Sequence, residues 1–297
     1  MTTAVAAAEA PRSTERNLVV DFCRAQPLGA MSLVAIVVMM LAGLFSGLVA
    51  PYDPLNIDFA GILQPPSWTH WFGTDAYGRD IFSRVIYGAR TALTIGFLSS
   101  FLGSTVGALL GATSAYFGGH IDDWIQRLCD ILLAFPIIVL ALVVVAVMGK
   151  GLVLGIDVNL VIAIAIPMVP RVARVVRSAA LSVRVMPYID AARAAGYSNM
   201  RIIGRHMLPN LMAPYLIMLT AHIAQAILLE ASLSFLGLGV SEPTPAWGLM
   251  LSGNASDFYR EAPWMIIFPG LAISVAVFAF NLFGDSLRDW LDPKFKV

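Results

Sequence analysis

Charged residues are scarce in this sequence. Only 13% of its 297 residues are Asp, Glu, Lys or Arg, whereas 58% are hydrophobic. A soluble domain usually carries about 25% charged residues, so much of this protein's surface is expected to face lipid. The formal net charge is zero, and no bulk field points to a nucleic-acid partner.

Patterns for metal binding and catalysis are also missing. The two cysteines, Cys23 and Cys129, form no C-x-x-C pair, and the four histidines show no H-E-x-x-H spacing. No Ser-His-Asp arrangement stands out. The sequence therefore predicts no metal site and no catalytic residues.

A nucleotide-binding loop is absent as well. The phosphate loop requires the pattern G-x-x-x-x-G-K-[ST]. Only one of the three lysines, Lys150, follows a glycine, and Gly151 rather than Ser or Thr comes after it. The chain is therefore not expected to hydrolyse ATP by itself, and no cofactor of its own is predicted.

Long apolar runs are the main feature that is present. A helix needs about 20 apolar residues to cross a bilayer. The sequence predicts an all-α, polytopic membrane bundle with about six spans, namely 28–52, 91–117, 131–149, 157–175, 211–236 and 263–284. The first run is too long for a cleaved signal peptide and is expected to remain as an anchor. An N-terminal arm, 1–27, precedes a loop at 53–90, a five-helix core at 91–285 and a tail at 286–297.

The basic residues predict the orientation of these spans. If both termini are cytoplasmic, 14 Lys and Arg residues lie inside and 5 lie outside, in keeping with the positive-inside rule. The inside set contains Arg12, Arg16, Arg24, Arg127, Arg171, Arg174, Arg177, Arg184, Arg193, Arg201, Arg205, Arg288, Lys294 and Lys296. Both cysteines are then cytoplasmic and reduced.

Two features inside the predicted spans call for an interpretation. Gly103, Gly107 and Gly111 repeat every four residues, a spacing that lets another helix approach closely. That helix can belong to this chain or to a partner subunit. Glu230 is the one acidic residue deep within a span; it either contacts cargo or holds its helix to a neighbour.

The cytoplasmic loop 177–209 contains the most specific pattern. The run Asp190-Ala191-Ala192-Arg193-Ala194-Ala195-Gly196 is followed, after nine residues, by His206-Met207-Leu208-Pro209. Aspartate favours a helix start, Gly196 permits a sharp turn, and Pro209 stops a helix or starts the next. Two short helices joined at Gly196 are predicted, with an alanine face that another protein can contact.

This pattern resembles the E-A-A-x-x-x-G-(nine residues)-I-x-L-P signature of permease subunits of bacterial ABC importers. Asp190 replaces the usual Glu, and His206 replaces the usual Ile, as in the R-H-x-L-P-N variant of peptide importers. On the outer side, Gly73-Thr74-Asp75-x-x-Gly78-Arg79-Asp80 is similar to the C-type subunit of dipeptide and oligopeptide permeases. Stretches 130–136, 232–239, 243–248 and 281–293 are similar to it too.

The resemblance implies a type I ABC importer permease for short peptides in a bacterial inner membrane. It further implies a B-type permease partner, two ATPase subunits that bind ATP and Mg, and an extracytoplasmic binding protein. Loop 177–209 would transmit ATPase motion to the spans. Asp80 is expected to cap a short interfacial helix ending near Arg90, which is either a scaffold or a docking site for the binding protein.

Three alternatives remain open from the sequence. The same machine could import nickel or another small solute instead of dipeptides, oligopeptides or glutathione-like peptides. An ion-coupled secondary transporter would be expected to show inverted repeats and paired intramembrane carboxylates, and a membrane-embedded enzyme would need clustered polar residues near a membrane face.

Overall fold

The structure of the protein is a computed structural model that describes residues 18–153 and 155–291. Four basic residues used in the orientation argument, Arg12, Arg16, Lys294 and Lys296, lie outside the described residues. Among the described residues, five helices are long and apolar enough to cross a membrane, or six if one bent pair counts as a single span. The predicted all-α membrane bundle is therefore confirmed.

The first span is entered through a short amphipathic helix. Helix α1 (Leu18–Ala25) is followed by α2 (Pro27–Leu44), which has proline at its first position, and by α3 (Ser46–Val49). Proline suits that position because its missing N–H would have had no helical partner. A single 3₁₀ turn, Phe59–Gly61, interrupts the loop that follows.

Helix α4 (Ile81–Phe117) is one continuous element of 37 residues. The expectation of a separate interfacial helix within 53–90, followed by a span at 91–117, is therefore wrong. The charge at Arg90 ends the apolar run, but no proline lies there to interrupt the backbone hydrogen bonds. At about 1.5 Å per residue, α4 is about 55 Å long, well beyond the ~30 Å of a hydrocarbon core.

The third predicted span, 131–149, is not a straight helix. Helix α5 (Gly119–Leu133) and helix α6 (Ile137–Met148) meet at an angle of 94°. Pro136 lies at the bend; it lacks an N–H, and it disfavours helical geometry in the residue before it. Helix α6, at 12 residues or about 18 Å, is too short to span a bilayer core alone.

The fourth span begins after a small hairpin whose two strands have two residues each. Strands β1 (Leu152–Val153) and β2 (Ile156–Asp157) pair antiparallel. Asp157 then caps helix α7 (Val158–Ala165) by accepting hydrogen bonds from the backbone of its first turn. The remaining pieces of this span are a 3₁₀ turn, Ile166–Met168, and helix α8, Val169–Arg184. Helical structure thus extends well past the predicted end at residue 175.

The C-terminal half contains two long helices and several short ones. They are α9 (Pro187–Ala194), α10 (Asn199–Ile202), a π turn (Ile203–Met207), a 3₁₀ turn (Leu208–Leu211), α11 (Met212–Phe235), α12 (Trp247–Met250), α13 (Asn254–Asp257) and α14 (Trp264–Leu291). The last helix continues into what was predicted as a tail beginning at residue 286.

Helix α4 lies at the centre of the packing. It contacts α2, α7, α8 and α11, and its residues belong to four separate clusters of buried side chains. One cluster surrounds the end of α4 near Tyr116, and another surrounds the opposite end near Ile81. A single helix therefore connects the two faces of the bundle.

Candidate functional site

The segment 187–211, here called the Gly196 segment, carries the importer-like signature. Helix α9 begins at Pro187, so Asp190 does not start the helix as the sequence suggested. It lies instead in the first turn, where its carboxylate accepts a hydrogen bond from Arg193 at 3.1 Å. The acidic side chain still suits the helix N-terminus, since the helix dipole is positive there.

Helix α9 ends at Ala194 and is followed by a Schellman motif that contains Gly196. The N–H of Gly196 donates to the carbonyl of Arg193 at 2.9 Å, and the N–H of Tyr197 donates to that of Ala192 at 3.1 Å. The motif requires a left-handed residue at the glycine, and Gly196 has φ of +77°. Ser198 caps α10 by accepting from the N–H of Arg201, so the two short helices are joined within four residues.

The two short helices bury one face and expose the other. Ile189, Ala192 and Ile202 pack on the same cluster of buried side chains as the end of α4. The outward residues are exposed, and they include Asp190, Ala191, Arg193, Ala194, Ala195, Tyr197, Asn199, Met200 and Arg201. Among them Met200 is 77% exposed.

Tyr116 fixes the Gly196 segment to the end of α4, a role that sequence reasoning missed. Its hydroxyl donates to the Asn199 side chain at 2.8 Å, and the Arg193 guanidinium lies over its ring at 5.2 Å. Tyr116 is therefore in contact with both short helices. Nothing local marks it, because it is one of several aromatic residues in an apolar run.

The remaining signature residues close the segment onto the bundle. The His206 ring stacks on Tyr197 with centroids 5.8 Å apart, and within the described part of the chain its buried Nε2 has no hydrogen-bond partner. Leu208 packs against the cluster that holds Tyr116. Pro209 lies in the first turn of the 3₁₀ element that leads into α11.

The glycine stripe of α4 faces the fourth span of the same chain, from the end of α7 into α8. A Cβ atom at Gly103, Gly107 or Gly111 would lie 2.7, 2.6 or 2.4 Å from a backbone carbonyl oxygen of Ala165, Val169 or Ala173, respectively. Real Cβ contacts are essentially never that short. Of the two readings left open by the sequence, the structure therefore places an intrachain helix, not a partner subunit, against the stripe.

The motif at residues 73–80, predicted to lie on the outer side, forms a compact turn before α4. The Asp75 carboxylate accepts from the N–H of Tyr77 at 2.8 Å and from the N–H of Arg79 at 2.9 Å. The Thr74 hydroxyl donates to the carbonyl of Gly61 at 2.5 Å. Gly78 has φ of +74°, and a Cβ there would lie 1.8 Å from a backbone oxygen, so only glycine fits.

Gly73 and Asp80 lie at the two ends of this motif, and Asp80 immediately precedes α4. Gly73, with φ of +75°, brings the loop against the Trp264 ring. Asp80 caps α4 by accepting from the N–H of Ser83 at 2.8 Å, and its other oxygen lies 2.9 Å from His70 Nδ1. The Asp80 cap was expected from the sequence; the histidine contact was not.

An ion cluster of Asp75, Arg79, Arg84 and Glu242, here called the Asp75 cluster, extends from this turn. Arg79 donates to Asp75 at 2.6 Å and to Glu242 at 3.0 Å, and Arg84 lies 3.8 Å from each of the same two carboxylates. Burial alone lowers the pKa of Arg79, but the two carboxylates outweigh it and the pKa is raised. Glu242 lies in the loop after α11, 163 residues from Arg79. The sequence around Arg79 therefore could not indicate that Glu242 completes the cluster.

Glu230 lies in α11 and is fully buried. One of its oxygens accepts from the Ser234 hydroxyl at 2.7 Å; the other has no partner among the described residues. Ser234 in turn accepts from the N–H of Val240 at 3.0 Å. Glu230 is thus connected through Ser234 to the loop that carries Glu242 of the Asp75 cluster.

Known proteins share both the sequence and the fold of this chain. The chain is 44% identical to the dipeptide transport system permease protein DppC of Alkalihalophilus pseudofirmus over 91% of its own length and 86% of that protein's. It is 43% identical to the glutathione transport system permease protein GsiD of Escherichia coli over 92% and 88% of the two lengths. An inward-facing structure of the MetNI methionine ABC transporter has the same fold, with a TM-score of 0.54 and 17% identity, covering 71% of this chain and 98% of that one.

A family model confirms the resemblance that the signature residues indicated. Residues 103–297 match the model described as the inner membrane component of binding-protein-dependent transport systems. The match includes the glycine stripe, the Gly196 segment and Glu230, while the outer motif at 73–80 lies before it. The chain belongs to this family of inner-membrane permease subunits of ABC importers.

Proposed function

We propose that this permease imports short peptides and works without catalytic residues of its own. Peptide cargo is supported by the two relatives above, which are named for dipeptide and glutathione transport. By this proposal ATP and Mg are bound by two separate ATPase subunits. A homologous B-type permease chain completes the pathway, and an extracytoplasmic binding protein delivers the cargo.

The two-sided packing of the Gly196 segment is the observation that supports this proposal most. Its outer face is exposed while its inner face is packed against the end of α4. An ATPase subunit seated on α9 and α10 would therefore act on α4 through Tyr116, Asn199 and Arg193. Because α4 runs to the Asp75 cluster at its other end, motion of the short helices would reach the opposite face of the bundle.

The test of this function is transport by the assembled complex in liposomes. With ATP and the binding protein present, we expect uptake of a labelled dipeptide, and no uptake when ATP is replaced by a non-hydrolysable analogue. Nickel uptake is measured in parallel. Uptake of nickel but not of peptide would show that nickel is the cargo. Uptake driven by an ion gradient without ATP would contradict the ATP-driven mechanism.

Both termini and the Gly196 segment are proposed to face the cytoplasm, which cysteine labelling can test. Ser198 and Ser67 are both exposed and lie on opposite sides in this orientation. In a background without Cys23 and Cys129, we expect Ser67→Cys to react with a membrane-impermeant maleimide in intact cells. Ser198→Cys should react only after the membrane is opened; the reverse pattern would invert the orientation.

A further inference from the structure

A cavity of about 460 Å³ opens between three elements on the same face of the bundle as the Asp75 cluster. Helix α4 contributes Arg90 and Thr94, the stretch between α6 and α7 contributes Lys150 and Asp157, and the loop after α11 contributes Ser241. Ligand-binding pockets usually measure about 300–1,000 Å³. The cavity is therefore large enough for a short peptide, and its walls come from parts of the chain that are far apart in sequence.

The acidic groups lining this cavity are already engaged. Asp157 accepts hydrogen bonds from the N–H groups of Gly151, Asn159 and Leu160 at 3.1–3.2 Å. Glu242, also on the wall, pairs with Arg79 and lies near Arg84 in the Asp75 cluster. Within the described residues, neither carboxylate forms an ion pair with Arg90 or Lys150.

The basic groups of the cavity lack such partners. Among the described residues, no carboxylate lies within 4.0 Å of Arg90 or of Lys150. Lys150 contacts the neutral hydroxyl of Ser241, and Arg90 is exposed. The cavity thus combines two cations that have no described carboxylate within 4.0 Å with neutral hydroxyl groups such as that of Thr94.

We infer that this cavity binds the free carboxylate of the transported peptide, with Arg90 and Lys150 as its charged ligands. A guanidinium can bind a carboxylate through two parallel hydrogen bonds, and an ammonium adds a point charge. The loop after α11, which carries Glu242 of the Asp75 cluster, lines the cavity, so cargo held there contacts α4 and this loop together. This inference rests on the proposed peptide transport and adds to it the place where the permease itself recognises cargo.

The experiment compares two cargoes that differ only at the carboxylate. The complete complex with its binding protein is reconstituted, and initial uptake rates are measured for alanyl-alanine and for its C-terminal amide. The acid-to-amide ratio is then compared between wild-type and variant permeases, which cancels the binding protein's own preference. For Arg90→Gln combined with Lys150→Gln we expect this ratio to fall about tenfold, the usual effect of losing a hydrogen bond to a charged group.

Controls separate this outcome from general damage. Arg260→Gln removes an exposed arginine outside the cavity, whose side chain contacts Tyr259, and should leave the ratio unchanged. With Lys150 intact, Arg90→Lys keeps the positive charge but not the paired hydrogen bonds, so it should lower the ratio less than the double variant does. An unchanged ratio, including an equal loss of acid and amide uptake, would overturn the inference and leave the proposal of peptide transport standing. Failure of the wild type to import either probe would overturn both proposals.

Discussion

Replacing Gly107 by leucine is expected to prevent this permease from folding into a stable chain. A Cβ at this position would lie 2.6 Å from the carbonyl oxygen of Val169 and 2.7 Å from the Cβ of Val172. Because one of these atoms is backbone, a rotamer change cannot relieve the clash, and α4 must separate from α8. Overpacking in a core costs about 1–3 kcal/mol and occasionally more; here we expect at least the upper end of that range.

The measurement is the yield of monodisperse protein in detergent, together with its thermal unfolding midpoint. Gly270→Leu is the matched control, because it places the same side chain in another long helix where a Cβ meets no atom within 4 Å. We expect the control to resemble the wild type and Gly107→Leu to be largely lost. Equal yield and equal midpoint for the two variants would show that α4 and α8 do not meet through the stripe.

Gly196→Val is expected to leave a folded, inserted chain that no longer couples ATP hydrolysis to transport. The added side chain meets no atom within 4 Å, so the defect arises from the backbone, whose φ of +77° suits glycine. Valine is β-branched and strained there. A strain of about 1–3 kcal/mol corresponds to a roughly 5- to 150-fold loss of the native arrangement of α9 and α10.

The assay measures uptake and cargo-stimulated ATP hydrolysis on the same reconstituted sample. Gly204→Val is a close control, since this glycine lies in the same segment, has no positive φ, and also has open space around a Cβ. We expect it to transport at a near wild-type rate. Asp190→Ala should weaken coupling less than Gly196→Val, because it removes one exposed ion pair with Arg193. Normal transport by Gly196→Val would show that this segment is not the coupling element.

Features set by local physics could be read from the sequence. The apolar runs predicted the membrane bundle, because each span must satisfy its own backbone hydrogen bonds inside lipid. Gly196 was assigned to a turn between two short helices, because few residues other than glycine adopt a positive φ readily. Helix boundaries were less accurate: α4 continues through Arg90, since a charge ends an apolar run without ending a helix.

Features that join distant parts of the chain could be seen only in the tertiary structure. The sequence showed a glycine stripe but not that α8 occupies it, and it showed Arg79 but not that Glu242, 163 residues away, completes its ion cluster. Tyr116 carried no signal at all until Asn199 and Arg193 were found beside it. Hydrophobicity and turn propensity act over a few neighbouring residues, so sequence alone determined where helices and turns form. The pairing of their faces depends on side chains far apart in the chain, and only the folded bundle decides it.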